Sequence, residues 1–236
     1  MKILYAADST VQFNSFLTYP QTGISQGLRL YVRDEIEIKS YARNGRSTRS
    51  FLKEGRFDRI LRDIEPGDFV FIQFGHNDQK VTDPERYTDP FTDFKENVEF
   101  MIRKTKEAGG IAVVISPIYR RYFEEDGHIM ENVHKEYPLV LRSVSKEEGV
   151  LFIDLCEITK NYLDKIGDEA SKALYMNFGP GLYDNYPEGK NDNTHLRYPG
   201  AVKYAGFLAE ELKKAGGIYE KLIIDKWPLT EMGPWE

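Results

Sequence analysis

The chain has 236 residues, a formal net charge of −6 and a single cysteine, Cys156. A chain of this length can form one large domain around a sizeable core, and a single cysteine excludes an internal disulfide. The negative charge argues against non-specific binding to nucleic acid or to anionic lipid, because both require a broad basic surface.

Apolar runs at intervals along the chain predict the buried strands of a parallel sheet. They lie at residues 3–7, 69–74, 111–116 and 150–155, with a weaker run at 36–41. Segments of helical periodicity alternate with them, most clearly at 94–108, 133–148 and 201–215. This alternation predicts an α/β fold with a doubly wound sheet, and we expect residues 1–236 to form a single domain.

Two segments without periodicity, 79–90 and 177–193, are rich in glycine, proline, asparagine and aspartate. Ligands of open α/β sheets bind beyond the carboxyl ends of the strands, where such loops gather. We therefore expect both segments to wall the functional site. The tail over 225–236 contains Trp227 and Trp235 and is expected to pack on the domain as a strap.

Polar residues with catalytic chemistry follow the predicted strands. Ser9 comes directly after the first apolar run, Gly45 follows the weaker run, and Asn77 follows the second strong run. Because the carboxyl ends of parallel strands meet at one edge of a sheet, these residues are expected to lie close together. Near the other end of the chain, Asp192 stands three residues before His195, a spacing at which an acid can orient the histidine base of a serine nucleophile.

Four sequence blocks carry a family resemblance: Ala7-Asp8-Ser9, Asn44-Gly45-Arg46-Ser47, Gly75-His76-Asn77-Asp78 and Asp192-Asn193-Thr194-His195. In order and spacing they resemble the signature of the SGNH (GDSL-type) hydrolases. In the identity of the individual residues they resemble the rhamnogalacturonan acetylesterase branch of that family. The chain has alanine at position 7, where the family usually has glycine.

The resemblance implies a three-layer α/β/α sandwich with a parallel, flavodoxin-like sheet. It also implies that Ser9 attacks an acetyl carbonyl, that His195 takes the serine proton, and that Asp192 fixes the histidine tautomer. The backbone N–H groups of Ser9 and Gly45 and the side-chain amide of Asn77 would form the oxyanion hole. No metal and no cofactor would be required.

Each block taken alone also has a purely structural interpretation. Asp8-Ser9-Thr10 is typical of a helix N-cap or a turn, and Asn44-Gly45 is typical of a simple turn. Asp78 is expected to bond loop amides beneath the site rather than to act in catalysis. The joint occurrence of all four blocks favours a catalytic site.

A second serine motif, Gly23-Ile24-Ser25-Gln26-Gly27, matches the Gly-x-Ser-x-Gly nucleophile elbow of α/β-hydrolases. Such an elbow must follow a strand, whereas the segment before this one contains Pro20 and several turn formers. We therefore expect Ser25 to lie on a packing helix.

A metal site is an alternative interpretation of His76, Asp78 and the Asp192/His195 pair, because histidine and carboxylate are ordinary zinc ligands. That interpretation leaves the serine and glycine blocks without a role. We therefore predict a site without metal and keep the metal site as a minority hypothesis.

Contacts to a sugar substrate are predicted from residue type. Arginine forks can bind a uronate carboxylate and tyrosines can stack on sugar faces, and the candidates are Arg46, Arg49, Tyr183, Tyr186 and Arg197. His76 is the residue most expected to touch the sugar, with Arg46 and Tyr183 next. His128 and His134 lie in polar surroundings and are predicted to face solvent.

The sequence thus predicts a serine carbohydrate esterase that removes O-acetyl groups from plant cell-wall oligosaccharides, of the pectin (rhamnogalacturonan) or xylan type. The alternatives are an esterase or lysophospholipase for lipid or aryl esters, and a non-catalytic sugar-binding protein on a hydrolase scaffold. The expected partner is an acetylated oligosaccharide, with no nucleic acid and no membrane. Nothing in the sequence predicts the oligomeric state.

The start of the chain contains too short an apolar run for a signal peptide, and no stretch approaches the roughly 18 consecutive apolar residues of a membrane span. Together with the single cysteine, this predicts a cytoplasmic protein. A cytoplasmic location would imply imported oligosaccharides as the substrate rather than intact pectin.

Overall fold

The computed structural model describes residues 1–225, and parallel strands form its central sheet. In chain order the strands are β1 (Lys2–Ala7), β2 (Glu37–Ser40), β3 (Phe69–Gln73), β4 (Ile111–Ile115) and β5 (Leu151–Ile153). Their spatial order is β2-β1-β3-β4-β5, which is the order of a flavodoxin-like sheet. The predicted fold class is confirmed.

The register of the sheet aligns the carboxyl ends of its three central strands. Ala7 pairs with Gln73, and Gln73 pairs with Ile115. The segments that follow β1, β3 and β4 therefore all start at the same height along the strands, at the carboxyl edge of the sheet.

Side chains of the strands alternate between two hydrophobic cores, one on each face of the sheet. In β1, Tyr5 packs into one core and Leu4 into the other, and both are fully buried. The first core is covered by α1 (Ile24–Leu28), α6 (Leu155–Ser171) and α7 (Tyr198–Ala215), with the short α8 (Gly217–Glu220) beside it. The second is covered by α2 (Thr48–Lys53), α3 (Arg56–Asp63), α4 (Lys95–Glu107) and α5 (Tyr137–Glu148). These are the three layers of an α/β/α sandwich.

Helices α5 and α6 are examples of where the structure differs from the sequence prediction. Helix α5 begins at Tyr137 rather than at 133, because Asn132 and Lys135 have left-handed backbone with φ of 53° and 50°. Helix α6 was not predicted. It follows β5 without a loop, since Asp154 ends the strand region and caps the helix by accepting a hydrogen bond from the backbone N–H of Glu157 at 3.2 Å.

A small antiparallel hairpin stands beyond the central sheet. Its strands are β6 (Tyr175–Phe178) and β7 (Lys190–Leu196), and they flank the loop at 179–189. The prediction of one aperiodic segment over 177–193 was therefore wrong at both ends. Because β7 is mostly polar and partly exposed, it lacks the apolar alternation by which strands are recognised in sequence.

Two further predictions concern the whole chain. None of the helices within residues 1–225 is both long enough and apolar enough to cross a membrane. Apart from Asp225, the predicted C-terminal strap lies outside the described residues.

Candidate active site

Ser9 lies just beyond the end of β1, in a turn that its neighbours hold in place. Asp8 is buried, and its Oδ1 accepts hydrogen bonds from the backbone N–H of Thr10 at 2.9 Å and from the Thr10 hydroxyl at 2.8 Å. Ala7 belongs to β1, and it is not among the non-glycine residues with positive φ in the described chain. The alanine in place of the usual glycine therefore causes no backbone strain before Ser9.

Ser9, His195 and Asp192 form a continuous chain of hydrogen bonds. Ser9 Oγ lies 2.8 Å from His195 Nε2, and His195 Nδ1 lies 2.7 Å from Asp192 Oδ2. With the Nδ1 proton on the side of the carboxylate, Nε2 is free to accept the serine proton. The other carboxylate oxygen of Asp192 accepts from the backbone N–H groups of Thr194 at 2.9 Å and of His195 at 3.0 Å.

The Asp192 carboxylate is held in its ionised form. Partial burial alone would raise its pKa, but the hydrogen bonds from His195 and from the backbone outweigh burial and lower the pKa to about 2. A carboxylate that is ionised throughout the neutral range can fix the tautomer of the histidine and stabilise its protonated form.

Contacts with the loop that follows β4 help to position strand β7. The backbone N–H of Arg121 donates to the carbonyl of Asn193 at 2.9 Å, and its Nε donates to Asn193 Oδ1 at 3.0 Å. These bonds place Asp192 and His195 beside the carboxyl edge of the sheet, opposite Ser9.

Gly45 and Asn77 approach the same place from β2 and β3. Gly45 has φ of 77°, a left-handed backbone that favours glycine. The Asn77 amide donates one of its two hydrogens to the carbonyl of Arg46 at 3.0 Å, which orients the amide group. Within residues 1–225, the backbone N–H groups of Ser9 and Gly45 donate to no protein acceptor.

These residues line a cavity of about 420 Å³. Its lining residues are mostly polar; among residues 1–225, Met176 contributes an apolar side chain and Tyr186 a large aromatic one. Lys80 and Arg86 reach it from the loop at 79–90, and Tyr186 and Lys190 from the segment at 177–193. The prediction that these two segments wall the site is confirmed.

The fold and the four sequence blocks indicate one family, and a match to that family's model shows that the chain is a member. The GDSL-like lipase/acylhydrolase family model matches residues 6–198. The chain belongs to this family. Because its members cleave acyl esters, the protein is a carboxylic ester hydrolase.

Relatives within the family are similar over most of the chain. The rhamnogalacturonan acetylesterase RhgT of Bacillus subtilis (strain 168) is 35% identical over 92% of this chain and 91% of its own length. The probable rhamnogalacturonan acetylesterase YesY of the same organism is 34% identical over 91% of this chain and 93% of its own.

Solved structures show the same fold. YxiM of Bacillus subtilis has a TM-score of 0.77 and 28% identity over 91% of this chain, which spans only 56% of that protein's chain. The acetylxylan esterase Axe2 of Geobacillus stearothermophilus has a TM-score of 0.61 and 16% identity over 89% of this chain and 93% of its own.

His76, in the third family block, lines the cavity as a buried and neutral side chain. It is 2% exposed, and neither ring nitrogen has a hydrogen-bond partner in the described protein. Burial, followed by the neighbouring His134 and Arg120, holds the pKa of His76 well below its usual range. The ring can therefore serve as a neutral donor or acceptor toward a ligand.

Four predicted substrate contacts, Arg46, Arg49, Tyr183 and Arg197, do not line the cavity that contains Ser9. Arg46 lies in a neighbouring cavity, where its guanidinium is 2.7 Å from the carboxylate of Glu54. The Tyr183 ring packs edge-on against Phe178, and its hydroxyl accepts a hydrogen bond from Arg197 at 3.3 Å. Arg46 and Tyr183 thus contact other residues of the protein rather than the cavity. Loop composition alone does not reveal such contacts.

The prediction for the remaining histidines was half wrong. His128 is exposed, as expected, with 76% of its side chain accessible. His134 is 1% exposed, its Nε2 lies 2.9 Å from the carbonyl of Ile118, and its ring meets that of His76 at 4.7 Å between centroids. Burial lowers the pKa of His134 to about 3.

Ser25 has a structural role, as expected. It lies in α1, is fully buried, and donates its hydroxyl hydrogen to the carbonyl of Val11. It does not line the catalytic cavity.

The metal-site alternative gains no ligand cluster from the structure. Within residues 1–225, no three histidine, cysteine or acidic side chains are grouped in a way that could hold a metal ion. Asp78, one of the acids considered as a ligand, instead accepts hydrogen bonds from Thr48 and Thr88.

Four cationic residues of the cavity escaped the sequence analysis: Arg120, Lys80, Lys190 and Arg86. Arg120 follows β4 at the same edge as Ser9 and Asn77, and that position was a usable signal. Lys80 and Lys190 lie in the segments expected to wall the site, but a loop lysine is usually solvated, so residue type gave no signal for them.

Asp78 fastens the loops beneath the site, as expected. Its Oδ1 accepts from the backbone N–H and the hydroxyl of Thr48 at 2.8 Å and 2.6 Å, and from the Thr88 hydroxyl at 2.9 Å. Burial raises the pKa of this carboxyl to about 6, against the lowering effect of these hydrogen bonds.

Replacing Asp78 is predicted to change stability in two distinguishable ways. Asp78→Ala removes the acceptor of three hydrogen bonds, worth about 1 kcal/mol each, and should lower the free energy of unfolding by roughly 3 kcal/mol. Asp78→Asn keeps an acceptor and removes the ionisable group. Because the native pKa is raised, the part of the stability that depends on protonation of Asp78 is fully present below about pH 4 and is lost as the pH rises through about 6.

Urea unfolding of the wild type and both variants between about pH 4 and pH 7 tests this prediction. The Asp78→Asn variant should lack the part of the pH dependence that Asp78 causes. An identical pH dependence in wild type and Asp78→Asn would show that Asp78 does not titrate as stated.

Proposed function

We propose that the protein is a serine acetylesterase that removes O-acetyl groups from plant cell-wall oligosaccharides, rhamnogalacturonan fragments first and xylan fragments second. The observation that carries the proposal is the 2.8 Å contact between Ser9 Oγ and His195 Nε2 at the wall of a polar cavity. A serine hydroxyl is a weak nucleophile, and a histidine at this distance can remove its proton as it attacks.

The cavity lining supports a sugar ester as the substrate. Binding a long acyl chain requires an apolar channel, whereas most of the described residues that line this cavity are polar. The names of RhgT and YesY support rhamnogalacturonan, and that of Axe2 supports xylan as the second choice.

In the first half-reaction Ser9 Oγ would attack the acetyl carbonyl carbon while its proton passes to His195 Nε2. The carbonyl oxygen becomes an oxyanion, and its donors would be the N–H groups of Ser9 and Gly45 and the Asn77 amide. Each such donor is worth on the order of 10²–10³ in rate. The ester C–O bond then breaks, and the sugar oxygen leaves with the proton from His195.

In the second half-reaction a water molecule would attack the acetyl-Ser9 ester. His195 takes a proton from this water, the same donors bind the second oxyanion, and the serine oxygen leaves with the proton from His195. Acetate is released and the hydrogen-bond chain returns to its starting state. Asp192 remains ionised throughout, as expected for a carboxyl whose pKa is about 2.

Ser9→Ala is predicted to abolish turnover, because it removes the attacking oxygen. Acetate release from acetylated rhamnogalacturonan and acetylated xylan oligosaccharides should fall by roughly 10³-fold or more. Ser25→Ala is the matched control, since Ser25 fits a nucleophile motif yet is buried in α1. It should keep its activity, and thermal unfolding curves show whether both variants are folded.

Full activity in Ser9→Ala would refute the proposed mechanism. Comparing acetyl with octanoyl nitrophenyl esters tests the lipid alternative, since a sugar deacetylase should prefer the short acyl group. Binding of acetylated oligosaccharides without any acetate release would instead indicate a sugar-binding protein.

Asp192→Asn is predicted to lower kcat by about 10⁴, because an amide in place of the carboxylate stabilises the wrong histidine tautomer. The control is Asp184→Asn, an exposed residue in the loop between β6 and β7. Steady-state hydrolysis of 4-nitrophenyl acetate measures both. A kcat of Asp192→Asn within tenfold of wild type would show that the carboxylate does not orient His195.

A further inference from the structure

Positive charge is concentrated in the catalytic cavity of this acidic protein. Four cationic side chains line the cavity against one carboxylate, that of Asp192, which is held by His195. The whole chain has a net charge of −6. The charge of the cavity thus opposes that of the molecule and favours an anionic ligand.

Three of the four cations have no ion-pair partner within residues 1–225: Lys80, Arg120 and Lys190. The fourth, Arg86, is paired with Asp83, which lies 2.5 Å from its Nε. In the neighbouring cavity, by comparison, Arg46 pairs with Glu54 and Lys53 with Glu85. Of these two adjoining cavities, the one that contains Ser9 therefore holds the cations without an ion-pair partner.

Arg120 is the fixed member of the group. Its two terminal nitrogens donate to the carbonyl of His76 at 3.0 Å and to the Thr194 hydroxyl at 3.3 Å, while its Nε is buried without a hydrogen-bond partner. Neither of its acceptors carries a charge. The guanidinium is thus held between β3 and β7 with its full charge uncompensated by a contacting acid.

Lys80 is a half-buried residue whose side chain lines the same cavity as that guanidinium. Burial, followed by the charges of Arg86 and Arg120, lowers the pKa of Lys80, although Asp83 and Asp8 act in the opposite direction. An anion bound between these cations would relieve the repulsion. Lys190 belongs to the other segment that walls the cavity; its ammonium group lies over the Tyr186 ring at 5.9 Å and is otherwise free within the described chain.

We propose that Lys80, Arg120 and Lys190 form a carboxylate-binding subsite beside the triad, which takes the uronate group of an acidic oligosaccharide. This inference rests on the proposed function and deepens it, because it assigns the residues that select acidic over neutral acetylated sugars. Arginine presents a planar fork that matches a carboxylate, and lysine supplies a mobile point charge. Neutral His76, buried beside Arg120, completes the subsite as an uncharged partner for a sugar hydroxyl.

The subsite would also orient the substrate. A carboxylate fixed by cations on two walls restricts how the sugar lies across the cavity, and this restriction decides which acetyl group reaches Ser9. Arg46, the cation expected from sequence to perform this task, is unavailable because Glu54 neutralises it.

Calorimetric binding to the inert Ser9→Ala protein tests the subsite without relying on turnover. The ligands are trigalacturonate and its fully methyl-esterified form, which has the same shape without the charges. Trigalacturonate should bind at least about tenfold more tightly, and added salt should remove much of the difference. Lys80→Met and Lys190→Met, made in the same background, should each weaken trigalacturonate binding by roughly tenfold.

Lys165→Met is the matched control, because Lys165 is an exposed lysine of α6 outside the cavity. It should leave trigalacturonate binding unchanged, and Lys190→Arg should restore most of the affinity that Lys190→Met loses. Thermal unfolding curves show whether each variant is folded.

The outcomes separate the two proposals. Equal affinity for trigalacturonate and its methyl ester, or unchanged binding in both lysine variants, would overturn the subsite even if the wild type releases acetate. Charge-dependent binding in a protein that releases acetate from no oligosaccharide would support the subsite and overturn the proposed function.

Discussion

The hydrogen bond between Ser9 and His195 joins residues that are 186 positions apart, and the rest of the site depends on it. One partner is placed by the carboxyl end of a central strand and the other by a peripheral hairpin. Contacts that include those of Arg121 hold that hairpin beside the sheet, where the histidine faces the serine. The site is therefore a product of the complete fold, and partial unfolding of the hairpin would dismantle it while leaving the sheet intact.

Much of the fold was predictable because its strands are buried on both faces. Such strands appear in sequence as continuous apolar runs, and the residues directly after them mark the ligand-binding edge, which is how Ser9, Gly45 and Asn77 were found. The hairpin was not predictable by the same means, since β7 (Lys190–Leu196) is polar and lies outside the core. His195 was identified only from its spacing to an acid and from the family resemblance.

Side-chain partners were less predictable than backbone positions. Arg46 follows Gly45 in the sequence, yet its charge is neutralised by Glu54, eight residues further on. His134 lies among polar residues in sequence but is buried against His76. Whether a charge is free or paired depends on contacts between distant segments, and the unpaired cations of the cavity became visible only in the structure.

The most direct test of the serine mechanism is to identify the residue that becomes acetylated during turnover. Mixing the enzyme with 4-nitrophenyl acetate, quenching with acid before steady state and mapping the peptides by mass spectrometry would locate the acetyl group. The account predicts one acetyl group on Ser9, and none in the Ser9→Ala protein. Acetylation of Ser25 instead, or rapid turnover with no acetylated residue at any time point, would contradict it.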